Sequence, residues 1–79
     1  MPVYNTSFKA PSGANYEISY DRTGTWFALD WNDEVGCPVF CRDLTIENFN
    51  PSCCEDGDYE ALNSKIREIF ELTVGISVN

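Results

Sequence analysis

Two alternating segments that follow each other directly set the strongest constraint on the fold. They are YEISYDR, residues 16–22, and TGTWFALDW, residues 23–31. Large apolar residues recur at every second position over 16–20 and again over 27–31: Tyr16, Ile18, Tyr20, Phe27, Leu29 and Trp31. Because successive side chains of a strand point to opposite faces, this alternation predicts two half-buried strands. Gly24 lies between them and favours a hairpin.

Two further segments have the composition of strands. Residues 3–9, VYNTSFK, place Tyr4 and Phe8 on one face. Residues 35–44, VGCPVFCRDL, are also predicted to be extended. Pro38 lies inside this last segment and cannot donate a ladder hydrogen bond, so it favours a position at the sheet edge.

The apolar pattern changes to a helical period near the end of the chain, and it predicts a helix at about 57–73. The residues on its apolar face are Leu62, Ile66, Ile69, Phe70 and Thr73. Ser52 and Glu55 fit a capping box at its start, and Gly75 is typical of a helix end. The prediction is one α+β domain over residues 1–79, with a small antiparallel sheet of three to four strands and one C-terminal helix packed on one face.

The chain is strongly acidic, with 13 acidic residues against five basic ones, no histidine and a net charge of -8. Proteins that bind nucleic acid need a basic surface, so this balance argues against direct nucleic-acid binding. It argues equally against anionic membranes. The expected partner is therefore a basic or neutral protein.

The acidic charge is concentrated in residues 30–60, which hold nine acids and Arg42 as the only base. Eight of these acids are candidates for a partner-binding surface: Asp30, Asp33, Glu34, Asp43, Glu47, Glu55, Asp56 and Asp58. Most fall where loops are expected, and loops of this fold can converge on one end. Neighbouring carboxylates can then stand in for phosphates, compete with DNA or RNA and be steered to a basic groove.

The same acids have structural interpretations. Glu55, Asp56 and Asp58 lie at the predicted helix start, where the helix dipole favours carboxylates. The others could form a solvated face that keeps the protein soluble. Trp26 and Trp31 are expected to point to opposite faces of their strand, so one of them could lie outside the core. That tryptophan is either packed on a neighbouring strand or exposed as an anchor for a protein partner.

The four cysteines do not match a common reactive or metal-binding spacing. They are Cys37 and Cys41 in CPVFC, and the adjacent Cys53 and Cys54. Zinc sites usually contain C-x2-C pairs, although an all-cysteine site remains an alternative, as does a disulfide from Cys41 to Cys53 or Cys54. The chain has no histidine to activate a cysteine, which argues against a cysteine enzyme. No catalytic residue, cofactor or metal site is assigned, and the protein is predicted not to be an enzyme.

The segment MPVYNTSFKAPSG has no apolar run, which predicts no signal peptide, and no stretch approaches the length of a membrane span. A cytoplasmic location with reduced thiols is therefore expected.

As a type, the chain resembles the small proteins that phages and mobile elements make against bacterial defence, especially anti-CRISPR proteins. The shared features are a single small domain that starts with Met, strong acidity and a small sheet with a helix. The resemblance covers the whole chain and depends on no signature residues. It implies a monomeric inhibitor in the bacterial host cytoplasm that binds a CRISPR effector complex, such as a type I Cascade, and blocks its DNA-binding surface. The alternative is a zinc- or disulfide-stapled module of a larger assembly.

Overall fold

The computed structural model describes residues 3–21, 23 and 26–71, and these residues form a four-stranded antiparallel sheet with a helix. The strands are β1 Val3–Lys9, β2 Asn15–Asp21, β3 Phe27–Asn32 and β4 Pro38–Leu44. Their order in the sheet is the same as their order in the chain. A 3₁₀ helix, Pro51–Cys53, and the helix α1, Tyr59–Ile69, follow. The predicted α+β sheet with a C-terminal helix is confirmed.

One face of the sheet is buried because its apolar residues recur at the strand period. Tyr16, Ile18 and Tyr20 in β2 all lie in the core, as the alternation predicted. Phe27 and Leu29 of β3 are completely buried beside them. The core-facing side of α1 supplies residues from its predicted apolar face: Leu62, Ile66 and Ile69. Each fully buried side chain of this size contributes about 1.5–3 kcal/mol relative to an exposed one.

Trp31 belongs to the core-facing side of β3, whereas Trp26 does not. The Trp31 ring lies 5.4 Å from the Tyr16 ring between centroids, and its Nε1 donates a hydrogen bond of 3.2 Å to the carbonyl oxygen of Cys53. Trp26 is half-buried and lies outside the core cluster. The tryptophan on the core face is therefore held by a polar contact as well as by packing.

The helix starts slightly later than predicted, at Tyr59 instead of at about residue 57. Gly57 has a φ of +87°, which glycine adopts without strain, and a turn closed by the Asp58 N–H and the Glu55 carbonyl precedes α1. Ser52 lies in the 3₁₀ helix, where its N–H donates a hydrogen bond to Oδ1 of Asn50. It therefore does not stand at the start of α1, and the predicted capping box of Ser52 with Glu55 is wrong. Within the described ranges, no helix is long and apolar enough to cross a membrane.

Residues 72–79 and Gly24 lie outside the described residues, so the structure does not test the sequence predictions made for them. These include the extension of the helix to Thr73, its end at Gly75 and the hairpin role of Gly24. The pairing of β2 with β3 is nevertheless antiparallel, as a hairpin requires.

Among the described strands, β4 lies at the sheet edge, as Pro38 predicted. Asp33 donates its N–H to the Cys37 carbonyl, so this pair is hydrogen-bonded. Hydrogen-bonded and non-hydrogen-bonded pairs alternate along an antiparallel ladder, which makes the next pair, Asn32 with Pro38, non-hydrogen-bonded. The ladder therefore loses nothing from the missing N–H of the proline.

A bulge interrupts β4 near its end. The register shifts by one residue between the pair Leu29–Cys41 and the pair Phe27–Leu44, so two residues of β4, Arg42 and Asp43, stand against the single residue Ala28 of β3. One of them, Asp43, has a φ of +54°, in the left-handed region that aspartate tolerates better than most residues. The bulge twists the edge and ends regular pairing.

Candidate functional site

Three separate segments meet at one end of the sheet and line an open cleft of about 610 Å³. The β1–β2 turn and the β3–β4 turn share this end because neighbouring strands run in opposite directions. The segment that leads into α1 returns to the same end. The lining residues are Ser12, Gly13, Ala14, Asn15, Asn32, Asp33, Glu34, Glu55 and Asp56. We call this surface the acidic cleft.

Four of the eight predicted partner-binding residues line the acidic cleft, and they are Asp33, Glu34, Glu55 and Asp56. Glu34 and Asp56 are exposed, whereas Asp33 and Glu55 are half-buried. No lysine or arginine is among the described residues of the lining. A concave surface lined by one sign of charge focuses the electric field, so the cleft attracts cations and basic side chains.

The carboxylate of Asp33 is fixed by the turn in which it lies. Its Oδ1 accepts hydrogen bonds from the Val35 N–H at 3.1 Å and from the Cys37 N–H at 2.8 Å. Aspartate commonly orders a turn by bonding to backbone groups a few residues ahead. The β3–β4 turn therefore presents Glu34 from a rigid support.

Asp58 lies beneath the acidic cleft and is completely buried. Its carboxylate accepts hydrogen bonds from the Ser12 N–H at 3.1 Å, the Ser12 Oγ at 2.6 Å and the Tyr16 hydroxyl at 2.8 Å. Burial by itself would raise the pKa of Asp58, but these hydrogen bonds outweigh it and hold the pKa below its usual range. Asp58 is therefore ionised at neutral pH without facing solvent.

The role of Asp58 is structural. The sequence predicted instead that it would stabilise the helix start or contact a partner. It makes no side-chain capping bond to α1, although it occupies the position before the helix. It also offers no carboxylate to a partner, because its side chain is enclosed. Its contacts instead tie the β1–β2 turn to the start of the helix.

Tyr16 extends this connection to the cleft surface. Its hydroxyl donates to Asp58 and accepts a 3.0 Å hydrogen bond from the N–H of Glu55. Burial, together with the nearby Asp58 carboxylate, raises the pKa of Tyr16 well above its usual range, so the hydroxyl keeps its proton. Glu55 is thus positioned through its backbone by a buried network.

Three of the predicted residues lie away from the acidic cleft. Asp30 is in the middle of β3, and its Oδ1 lies 2.6 Å from Nη1 of Arg42, so its charge is compensated locally. Asp43 lies near the end of β4, opposite to the end at which the β3–β4 turn is found. Glu47 lies in the turn region that follows β4. These residues do not add to the acidic cleft.

Ser12 and Tyr16 hold the acidic cleft together, and neither was predicted to be a site residue from the sequence. The sequence gives only a weak sign of the first, because Ser12 stands beside Gly13 in a predicted turn. Tyr16 was predicted as a core residue, and nothing in its alternating pattern indicates that its hydroxyl would bind a carboxylate 42 residues away.

The cysteines have different exposures. Cys37 is exposed, Cys41 is half-buried, Cys53 and Cys54 are buried, and all are free thiols. Burial raises the pKa of the Cys54 thiol to about 11 and also raises the pKa of Cys41. Across the described ranges, no group of three or more cysteine, aspartate or glutamate side chains is arranged to hold a metal ion.

We expect the thiols to react with iodoacetamide in the order of their exposure. The thiolate is the reactive form, so at about pH 8 Cys54 should react at least ~100-fold more slowly than Cys37. Peptide mass mapping after timed alkylation of the native protein measures both rates. Alkylation in denaturant is the control, in which all four cysteines should react at similar rates. Equal rates for Cys37 and Cys54 in the native protein would contradict the burial described above.

Comparisons of the chain with protein-family models, with curated proteins and with solved structures find no match. The function of this chain is therefore inferred from its own charge and geometry.

Proposed function

We propose that this protein is a stoichiometric inhibitor that uses the acidic cleft to bind a basic, nucleic-acid-binding surface of another protein. The proposed target is a CRISPR effector complex, such as a type I Cascade, in the cytoplasm of a bacterial host. The inhibitor would occupy the surface that binds target DNA and would act without catalysis. The observation that supports this most is the convergence of Asp33, Glu34, Glu55 and Asp56 on one concave surface.

The way the carboxylates are held favours binding. Asp33 is fixed by its turn, and the backbone of Glu55 is fixed by Tyr16. Groups that are already ordered lose less conformational entropy on association, so more of their interaction energy appears as affinity. Their shared sign steers the protein towards a positive groove and raises the association rate at low salt.

Reversing three cleft charges tests this proposal. In the cleft variant, Glu34, Glu55 and Asp56 are replaced by lysine, and Asp33 is kept because it orders its turn. The affinity for a basic effector surface should fall by about 100-fold or more, since close charge pairs across interfaces contribute roughly 1.5–7 kcal/mol each. Surface plasmon resonance with purified CRISPR effector complexes measures the affinity, and fluorescence anisotropy of labelled target DNA measures the competition.

A matched control separates position from total charge. The control variant replaces Glu47, Glu68 and Glu71 with lysine, all of them exposed and outside the cleft lining. Each replacement of an acidic residue by lysine raises the net charge by two, and both variants carry three such replacements. Both therefore start from -8 and reach the same net charge. The control should keep affinity within about threefold at physiological salt, where distant exposed charges are screened. Equal losses in both variants would show that total charge, and not the acidic cleft, determines binding.

A further inference from the structure

Strand β1 is an edge strand without the features that protect the other edge. In the described part of the chain, β1 pairs only with β2, in a continuous register from Val3–Asp21 to Lys9–Asn15. On the opposite edge, β4 carries Pro38 and a bulge, which are features that discourage pairing with another chain. The β1 segment VYNTSFK has neither a proline nor an acidic residue. It therefore presents seven regular residues for further pairing.

The register shows which backbone groups of β1 face outwards. The Ala10 N–H donates to the Ala14 carbonyl, so this pair is hydrogen-bonded. Because hydrogen-bonded pairs alternate along the ladder, the even-numbered residues of β1 bond to β2. The odd-numbered residues direct their N–H and C=O groups away from β2, towards the side on which no described strand lies, and these are Val3, Asn5, Ser7 and Lys9.

We propose that β1 pairs antiparallel with β1 of a second copy of this chain, about a twofold axis at Thr6. In this register Asn5 lies opposite Ser7 of the second copy, and Val3 lies opposite Lys9. All outward backbone groups then find partners, which gives about eight hydrogen bonds between the chains. The two sheets become one continuous sheet, and both helices lie on the same face of it.

The side chains of β1 suit this register. Tyr4, which is 38% exposed, would lie opposite the half-buried Phe8 of the second copy, and the reciprocal pair forms by symmetry. Thr6 would lie opposite its own symmetry mate. Aromatic pairs and threonine pairs directly across a ladder both stabilise strand pairing. The same surface thus serves both copies, as a twofold interface requires.

The charge distribution favours a second copy over a basic partner at this edge. Residues 3–9 contain Lys9 and no acid, so they offer no negative charge to attract a basic segment. Antiparallel pairing places the two acidic clefts at opposite ends of the joined sheet, because each cleft lies beyond the Lys9 end of its own β1. Seven strand residues span about 23 Å, which exceeds the Debye length of ~8 Å at physiological salt. The repulsion between the clefts is therefore screened.

This inference differs from the monomer expected from the sequence, and it does not depend on the proposed function of the acidic cleft. Analytical ultracentrifugation tests it with the wild type and two variants, Ser7→Pro and Ser7→Ala. Both variants lose the 2.6 Å hydrogen bond from Ser7 to Glu17, but only proline removes the outward N–H. We expect the wild type and Ser7→Ala to approach twice the mass of one chain at about 1 mM, where weak complexes are populated. Ser7→Pro should keep the mass of one chain.

Amide hydrogen exchange of the wild type gives a second test that does not depend on a variant. The amides of Tyr4, Thr6 and Phe8 should be protected at every concentration, because they bond to β2. The outward amides of Asn5 and Ser7 should become protected only as the concentration rises. The proposal is overturned if the wild type keeps the mass of one chain at about 1 mM and these outward amides remain unprotected. It is overturned equally if Ser7→Pro forms the dimer as well as Ser7→Ala does.

Discussion

Replacing Asp58 with alanine should lower the free energy of unfolding by about 4 kcal/mol, because hydrogen bonds to a charged group contribute roughly 1.5–3 kcal/mol each and buried donors without a partner are costly. Three such bonds end on this carboxylate. A domain of 79 residues has a total stability of about 4–12 kcal/mol, so this one change should remove much of it.

Urea denaturation followed by tryptophan fluorescence measures this effect. Asp56→Ala is the matched control, because Asp56 is the same residue type two positions earlier and is exposed. It should change the free energy of unfolding by no more than about 0.5 kcal/mol. Asp58→Asn keeps the shape but removes the charge, and its loss should fall between the two. A loss below about 1 kcal/mol for Asp58→Ala would show that the network is not a principal source of stability.

The same carboxylate should make the protein sensitive to acid. The pKa of Asp58 is lower in the folded chain than in the unfolded chain. Its contribution to stability is therefore present above the unfolded pKa of about 3.9, and it is lost as the pH falls through the folded pKa. Between about pH 5 and pH 2 the wild type should lose more stability than Asp58→Asn, which lacks this titrating group. Urea denaturation across this range compares the two slopes.

The second large effect is expected at the centre of the core. Phe27→Ala should reduce the free energy of unfolding by about 3–5 kcal/mol, because it removes a large buried side chain and leaves a cavity. Phe27 is completely buried. Its ring makes edge-on contacts with Phe49 and Phe70 at centroid distances of 5.4 and 6.1 Å. The cavity would therefore open where β3, the segment after β4 and the end of the helix meet.

The control for this prediction is Phe40→Ala, which removes the same side chain from a surface position. Phe40 is 60% exposed, and its main described contact is with the Arg42 guanidinium, 5.2 Å from the ring centroid. Its loss should cost no more than about 1 kcal/mol, the value typical of an exposed cation–π pair. Thermal and urea denaturation measure both variants. Equal losses at the two positions would contradict the description of the core.

The sheet and the helix face could be predicted from the sequence because each depends on a short repeating pattern. The alternation of Tyr16, Ile18 and Tyr20 fixes which side of β2 is buried, whatever the neighbouring strand is. Leu62 and Ile66 similarly mark the buried side of α1. Pro38 predicted an edge because the missing N–H is a local property of that residue.

The site depended on information that no local pattern contains. Asp58 looks like its acidic neighbours in the sequence, and its burial is decided by Ser12 and Tyr16, which are more than 40 residues away. The direction of each strand also separates acids that the sequence groups together. Asp43 and Asp33 are ten residues apart, yet they lie towards opposite ends of the sheet because β4 runs back along β3.

The order of the strands has a consequence for how the chain folds. Each strand pairs with the strand that precedes or follows it, so the sheet can grow from local hairpins whose loops are short and quick to close. The contact between Ser12 and Asp58 instead requires the closure of a loop of more than 40 residues, which costs more entropy. We expect the sheet to assemble first and the junction of Ser12 with Asp58 to form late. An intermediate that still lacks this junction would have a nearly complete sheet but could not yet hold its carboxylates together.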